Sequence, residues 1–82
     1  MGVKAMVFLV VEPRMIGEVA SKLASMEGVE KVFEITGQYD VVAILSSKDY
    51  ESLASMVRNQ ILRIDGVLRS VTSFIVTEYG GD

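Results

Sequence analysis

The 82-residue chain has no cysteine, no histidine and no tryptophan, and only one proline. Without cysteine there is no disulfide, no thiolate nucleophile and no zinc–thiolate site. Without histidine, the side chain that ordinarily titrates near neutral pH is missing, and acid–base chemistry would fall to carboxylates, tyrosines or lysines. Positive charge is also scarce: eight Lys and Arg stand against eleven Asp and Glu, for a formal net charge of -3. The basic residues Lys4, Arg14, Lys22, Lys31, Lys48, Arg58, Arg63 and Arg69 are dispersed and form no stripe, which predicts no direct contact with nucleic acid. No apolar run approaches the ~20 residues of a membrane-spanning helix. The longest, Ala5 to Val11, stops at Glu12-Pro13, and Met1 to Lys4 carries none of the marks of a secretion signal. The expectation is a soluble, cytoplasmic protein with no membrane partner.

What is present is apolar surface, at 50% of residues. A chain this short makes one small domain, expected to span residues 1–82 with its core over about 3–78. One thin core cannot hide so much apolar surface, which points to self-association.

Val3 to Val11 reads as a strand from its β-branched content, closed by Pro13, a residue suited to the first turn of a helix. From Arg14 to Met26, Ile16, Val19, Ala20 and Leu23 recur at helical spacing. Val29 to Thr36 alternates as a half-exposed strand, with Val29, Phe33 and Ile35 assigned to one side and Glu30, Val32 and Glu34 to the other. Val41 to Leu45 has no polar face. A second helix is expected from about Asp49 to Ile64 on the stripe Tyr50, Leu53, Ala54, Val57, Ile61 and Ile64, and a last strand from Val67 to Glu78. Met26-Glu27-Gly28-Val29 and Ile64-Asp65-Gly66-Val67 each close a helix and open a strand, so the chain reads as two half-chains on one plan.

The order βαββαβ is the ferredoxin-like, α+β arrangement: a four-stranded antiparallel sheet with two helices on one face. It places the first and third strands centrally, and these are the two without a polar face. Helices cover only one face, so one alternate set of the first strand, either Val7, Leu9 and Val11 or Met6, Phe8 and Val10, needs another cover. Leaving Met6, Phe8 and Val10 in water would forgo several kcal/mol at ~25 cal/mol per Å². Packing sheet against sheet in a symmetric dimer, of the dimeric α+β barrel type, is the simplest closed solution.

Between the halves lies Ile35-Thr36-Gly37-Gln38-Tyr39-Asp40-Val41. As a plain turn, Gly37 supplies positive φ, Asp40 bonds local backbone and Tyr39 rests its ring on the fold. As a ligand loop, Gly37 lets backbone N–H groups approach a carboxylate, Asp40 accepts from an ammonium group and Tyr39 walls the pocket, which together suit a zwitterion. The residues alone leave both readings open.

The Thr36-Gly37-Gln38-Tyr39-Asp40 turn before an apolar strand, Asp49-Tyr50 opening the second helix, Ile64-Asp65-Gly66-Val67, and Thr72-Ser73-Phe74 together carry a resemblance over about Val3 to Val76. The chain resembles the RAM domain, the effector-binding and oligomerisation domain of the Lrp/AsnC (feast/famine) transcription regulators. The resemblance implies dimers formed by sheet packing, with Met6, Phe8 and Val10 at the interface, and further assembly, often as octamers of four dimers. It implies a small amino-acid effector bound between dimers by Gly37, Gln38, Tyr39 and Asp40, with Thr72 and Ser73 as weaker candidates from a neighbouring strand. Asp65 stands where many members have proline, a departure that touches the turn. Full-length members carry an amino-terminal helix-turn-helix domain, whereas this sequence starts at the first strand. It is similar in that to stand-alone RAM proteins, which implies an amino-acid sensor acting alone or by co-assembly with full-length Lrp/AsnC regulators.

An enzyme is not expected, because no two carboxylates recur as an acid–base pair and the interior is uniformly apolar. An ACT-like module would place its ligand glycine after the first strand, where this chain has Glu12-Pro13-Arg14. A pure assembly domain remains the plainer alternative. No cofactor is expected, and no metal, since Glu27, Asp40, Asp49 and Asp65 lack the spacing of a calcium loop. Met6, Met15, Met26 and Met56 read as core filler or interface packing.

Overall fold

The computed structural model describes residues 2–81. Its elements are β1 (Val3–Val11), α1 (Ile16–Ala24), β2 (Val29–Glu34), β3 (Val41–Ser47), α2 (Tyr50–Asn59) and β4 (Val67–Phe74), with short 3-10 turns at Pro13–Met15 and Ile61–Arg63. The strands lie in the order β2-β3-β1-β4, each antiparallel to its neighbour. This is the ferredoxin-like α+β fold, with the two most apolar strands in the centre.

One sheet face carries the core. Ala5, Val7, Leu9 and Val11 of β1 and Val41, Ala43 and Leu45 of β3 are buried together with Val19 and Leu23 of α1, Leu53, Met56 and Val57 of α2, and Ile61 and Ile64 beyond it. Among the described residues no polar or charged residue is buried, so side-chain burial here is purely hydrophobic. The alternation of β1 therefore resolves in favour of Val7, Leu9 and Val11 beneath the helices, leaving Met6, Phe8 and Val10 on the opposite face.

The two halves repeat in backbone detail. Gly28 and Gly66 both adopt left-handed φ, at 92° and 100°, which glycine reaches without the Cβ clash of other residues. Val29 N–H bonds the Met26 carbonyl as Val67 N–H bonds that of Ile64, and the glycine carbonyls accept from Ser46 N–H and Glu12 N–H at 2.8 Å each.

Several details depart from the sequence reading. The helical pattern from Arg14 starts as a 3-10 turn, because Met15 at φ -114°, ψ 7° lies outside helical geometry, and α1 proper begins at Ile16. The second helix stops at Asn59, where Gln60 at φ -122° breaks it and a 3-10 turn inserts Ile61 into the core. In β2 the register against β3 shifts between Val29 and Lys31, which puts Val29 and Val32 together against the core and Phe33 on the open face opposite Val42. A bulge adds one residue, so a strict alternation assigns the wrong faces on one side of it. The last strand stops at Phe74 because its partner runs out: Ile75 N–H makes a final bond to the Lys4 carbonyl, while β1 begins at Val3. Tyr50, placed on the buried stripe by spacing, is instead 58% exposed, its ring packed edge-on against Phe74 with centroids 4.9 Å apart.

Candidate functional site

The loop between β2 and β3 is built around Asp40. Its N–H donates to the Leu9 carbonyl at 2.8 Å, and its carbonyl accepts from Ile35 N–H at 2.9 Å, closing the loop on itself. Its carboxylate Oδ2 accepts the Val11 N–H at 2.8 Å. The β1–β3 ladder ends at the pair Leu9 and Val41, so beyond it this carboxylate takes the place a backbone carbonyl would hold. An N–H in a strand that is buried on its side-chain face must find such an acceptor, and a charged one bonds more strongly than a neutral one.

Gly37 sits at φ 109°, and a Cβ added there would meet nothing within 4 Å. The loop thus asks for glycine through backbone conformation alone, with open space above it. Thr36 and Gln38 are exposed, whereas Tyr39 is half-buried. The Tyr39 ring leans on Phe8 of β1, centroids 5.5 Å apart and planes tilted by 49°. Spacing along the chain does not reveal the anchors Leu9, Val11 and Phe8; an aspartate directly before the apolar run Val41 to Leu45 is the one hint.

Thr72 and Ser73 lie elsewhere. They pair with Val7 and Met6, on the far side of β1 from the strand the loop feeds, and as adjacent strand residues they face opposite ways. One chain brings Gly37, Gln38, Tyr39 and Asp40 together but does not bring Thr72 or Ser73 to them.

The open sheet face is continuous with this loop. Met6, Phe8 and Val10 of β1 run across it, flanked by Val42 and Ile44 of β3, Phe33 of β2 and Val71 of β4. Phe33 and Val71 remain 47% and 43% exposed. Lys31 pairs with Ile44 and Arg69 with Val10, placing charge at both edges. A contiguous apolar patch edged by charge is the pattern of an association surface.

A wide cleft of about 570 Å³ lies away from the loop, between the Glu27-Gly28 turn and α2, lined by Ser46, Ser52, Ser55 and Gln60 among others. A second hollow of about 290 Å³ lies by Met15, Lys22 and Arg63. Neither touches residues 35–40. Among the described residues no three Asp or Glu gather as a metal site. One carboxyl, that of Asp49, is held below its ordinary value, chiefly by the Ser52 backbone N–H that it caps at 2.7 Å, next by the Ser52 side chain, and weakly by Lys48, against a small opposing effect of burial. That group caps α2 and has no carboxylate partner, so it does not make an acid–base pair. Among the described residues no helix is long and apolar enough to cross a membrane.

Comparison with known proteins gives a consistent result. The family model for the Lrp/AsnC ligand-binding domain matches residues 4–80. The HTH-type transcriptional regulator LrpA of Pyrococcus abyssi is 34% identical over 64 residues, covering 78% of this chain and 45% of the regulator. The chain therefore spans about half the length of such curated relatives. A solved protein of Thermus thermophilus is 29% identical with a TM-score of 0.88, over 96% of this chain and 99% of that one. A transcriptional regulator of Neisseria meningitidis, solved as a complex with L-Met, superposes with a TM-score of 0.87 at 18% identity, over 96% of this chain and 53% of its own.

Proposed function

This chain belongs to the family of Lrp/AsnC ligand-binding domains, and on that basis we propose that it is an effector-responsive assembly module, a regulatory unit and not an enzyme, whose ligand is a small amino acid held between copies by the loop 35–40. The observation that carries the reading is the division of labour in that loop. Asp40 fixes the backbone through three hydrogen bonds, while Gly37 and Gln38 stand in open space with their polar groups unclaimed by packing. A fixed backbone with free N–H and amide groups is pre-organised to receive a carboxylate, so little ordering cost accompanies binding. Tyr39 then walls the pocket, and the Asp40 carboxylate meets the ammonium group. Thr72 and Ser73, remote within one chain, join from a neighbouring copy. The L-methionine complex of the Neisseria regulator supports the ligand class.

In this reading copies pair through Met6, Phe8 and Val10, because face-to-face sheets remove the open patch from water. The dimers then assemble further, up to an octamer of four dimers. The module is one domain, works in the cytoplasm without a cofactor, and co-assembles with full-length Lrp/AsnC regulators through the same faces. A second reading, assembly without a ligand, draws on Asp40: one of its carboxylate oxygens already serves Val11.

Isothermal titration against each proteinogenic amino acid, paired with the mass in solution with and without it, separates the two. Heat of binding together with a shift in mass is the expected result for at least one small amino acid. No binding by any of them at millimolar concentration would leave the assembly domain alone.

A further inference from the structure

The loop and the open face meet where the Tyr39 ring leans on Phe8. Asp40 pins the loop backbone, but Tyr39 lies just before that pin and its ring is held by Phe8, a residue of the open face that pairs with Val42 on one side and Val71 on the other. In a single chain this ring pair is only half-buried, and covering the rest of both rings adds the gain of removing their remaining apolar area from water. We infer that Phe8 is a positioning residue for the effector loop: covering Phe8 with a second copy locks the Tyr39 ring down, so that pairing of copies and shaping of the pocket wall are a single event. This rests on the proposed pairing through the open face. Asp40 alone cannot set the wall, because its bonds to Leu9, Val11 and Ile35 hold the main chain and leave the Tyr39 side-chain torsions free.

The coupling is reciprocal by linkage. Whatever holds Tyr39 against Phe8, an amino-acid side chain included, strengthens the pairing of copies by the factor with which pairing strengthens it. Because the single chain already makes the contact, the full worth of one aromatic pair sets the ceiling of that factor, roughly two- to twelvefold. The substitution of Phe8 is felt at the loop, although Phe8 is not among the loop residues assigned to the ligand.

The chain's three tyrosines are Tyr39, Tyr50 and Tyr79, and it has no tryptophan, so Tyr50→Phe with Tyr79→Phe leaves Tyr39 as the sole tyrosine emitter. Acrylamide quenching of that emission is followed through a dilution series, with the mass measured in parallel by sedimentation. Quenching falls several-fold as copies associate. Phe8→Leu keeps an apolar face but associates more weakly by the coupling factor, and at concentrations that restore the associated mass it still leaves Tyr39 quenchable, whereas Phe33→Leu, which removes from the same face a ring not paired with Tyr39, leaves Tyr39 protected. Quenching that ignores association, or responds equally to Phe8→Leu and Phe33→Leu, overturns the coupling while the pairing stands. A mass that stays that of one chain at every concentration overturns the pairing and the coupling together.

Discussion

The carboxylate of Asp40 accepts the backbone N–H of Val11 at 2.8 Å across a separation of 29 residues. A side chain of the loop thereby finishes the hydrogen bonding of a central strand. Val11 is 2% exposed, so water does not readily replace the lost partner. Asp40→Ala should destabilise the fold by about 1–3 kcal/mol, the cost of leaving such a donor unmade. Asp40→Asn, which keeps an oxygen there, should lose distinctly less. Urea unfolding of the two variants beside the parent measures the difference.

Two glycines should respond to alanine with opposite signs. Gly37→Ala places a Cβ in empty space but at φ 109°, and should cost about 1–3 kcal/mol from backbone strain alone. Gly17→Ala, in the first turn of α1 with nothing within 4 Å of the new atom, should stabilise by about 0.4–1 kcal/mol by narrowing the unfolded ensemble. Thermal denaturation at fixed concentration reads both.

Acid should loosen α2 through Asp49. Its carboxyl lies below 3.8 when folded, held there first by the Ser52 N–H. A lowered folded value means that the charged cap stabilises fully above the unfolded pKa and that its contribution fades as pH falls through the folded one. Parent and Asp49→Asn should therefore converge in relative stability below that range, and part of the acid sensitivity should be missing from the variant. Circular dichroism melts between neutral pH and the acid limb test this.

Phe33→Asp should break association while leaving the single chain folded. The ring is 47% exposed in one copy, so its loss from the monomer should cost within about 1 kcal/mol, but a carboxylate buried between two sheets without a partner would be far more costly. Sedimentation velocity with far-ultraviolet circular dichroism distinguishes dissociation from unfolding.

The central pairing of β1 and β3 is legible because Val3 to Val11 and Val41 to Leu45 lack a polar face, and a strand without one belongs inside a sheet. The two Gly turns are equally plain, since each follows a helical stripe. Alternation puts Phe33 with Val29 because it carries no signal of a bulge, which arises from pairing with β3. Tyr50 fits its helical stripe but sits where α2 passes the edge strand, and only the packed fold shows that edge. In the loop, Gly37 is readable from backbone demands. The anchoring of Asp40 and Tyr39 is not, because Val11 and Phe8 are neighbours in space alone, and a residue pattern records local demands better than distant ones. The separation of Thr72 and Ser73 from the loop has the same origin.

The twin turns at Gly28 and Gly66 make the molecule a ring of two equal units opened at one point. Within each unit a strand leads through a helix to a strand two places away in the sheet, with a strand of the other unit between them, and residues 35–40 join the first unit to the second. Their counterpart in the ring would run from the end of β4 to the start of β1, two segments that already meet where Ile75 N–H bonds the Lys4 carbonyl at 2.9 Å. Circular permutation is therefore open to this fold: a short linker there and new termini at Gly37 would exchange the two joints. The loop with Asp40 and Tyr39 is in that sense the clasp of a duplicated unit, set at the one connection that neither half requires by itself.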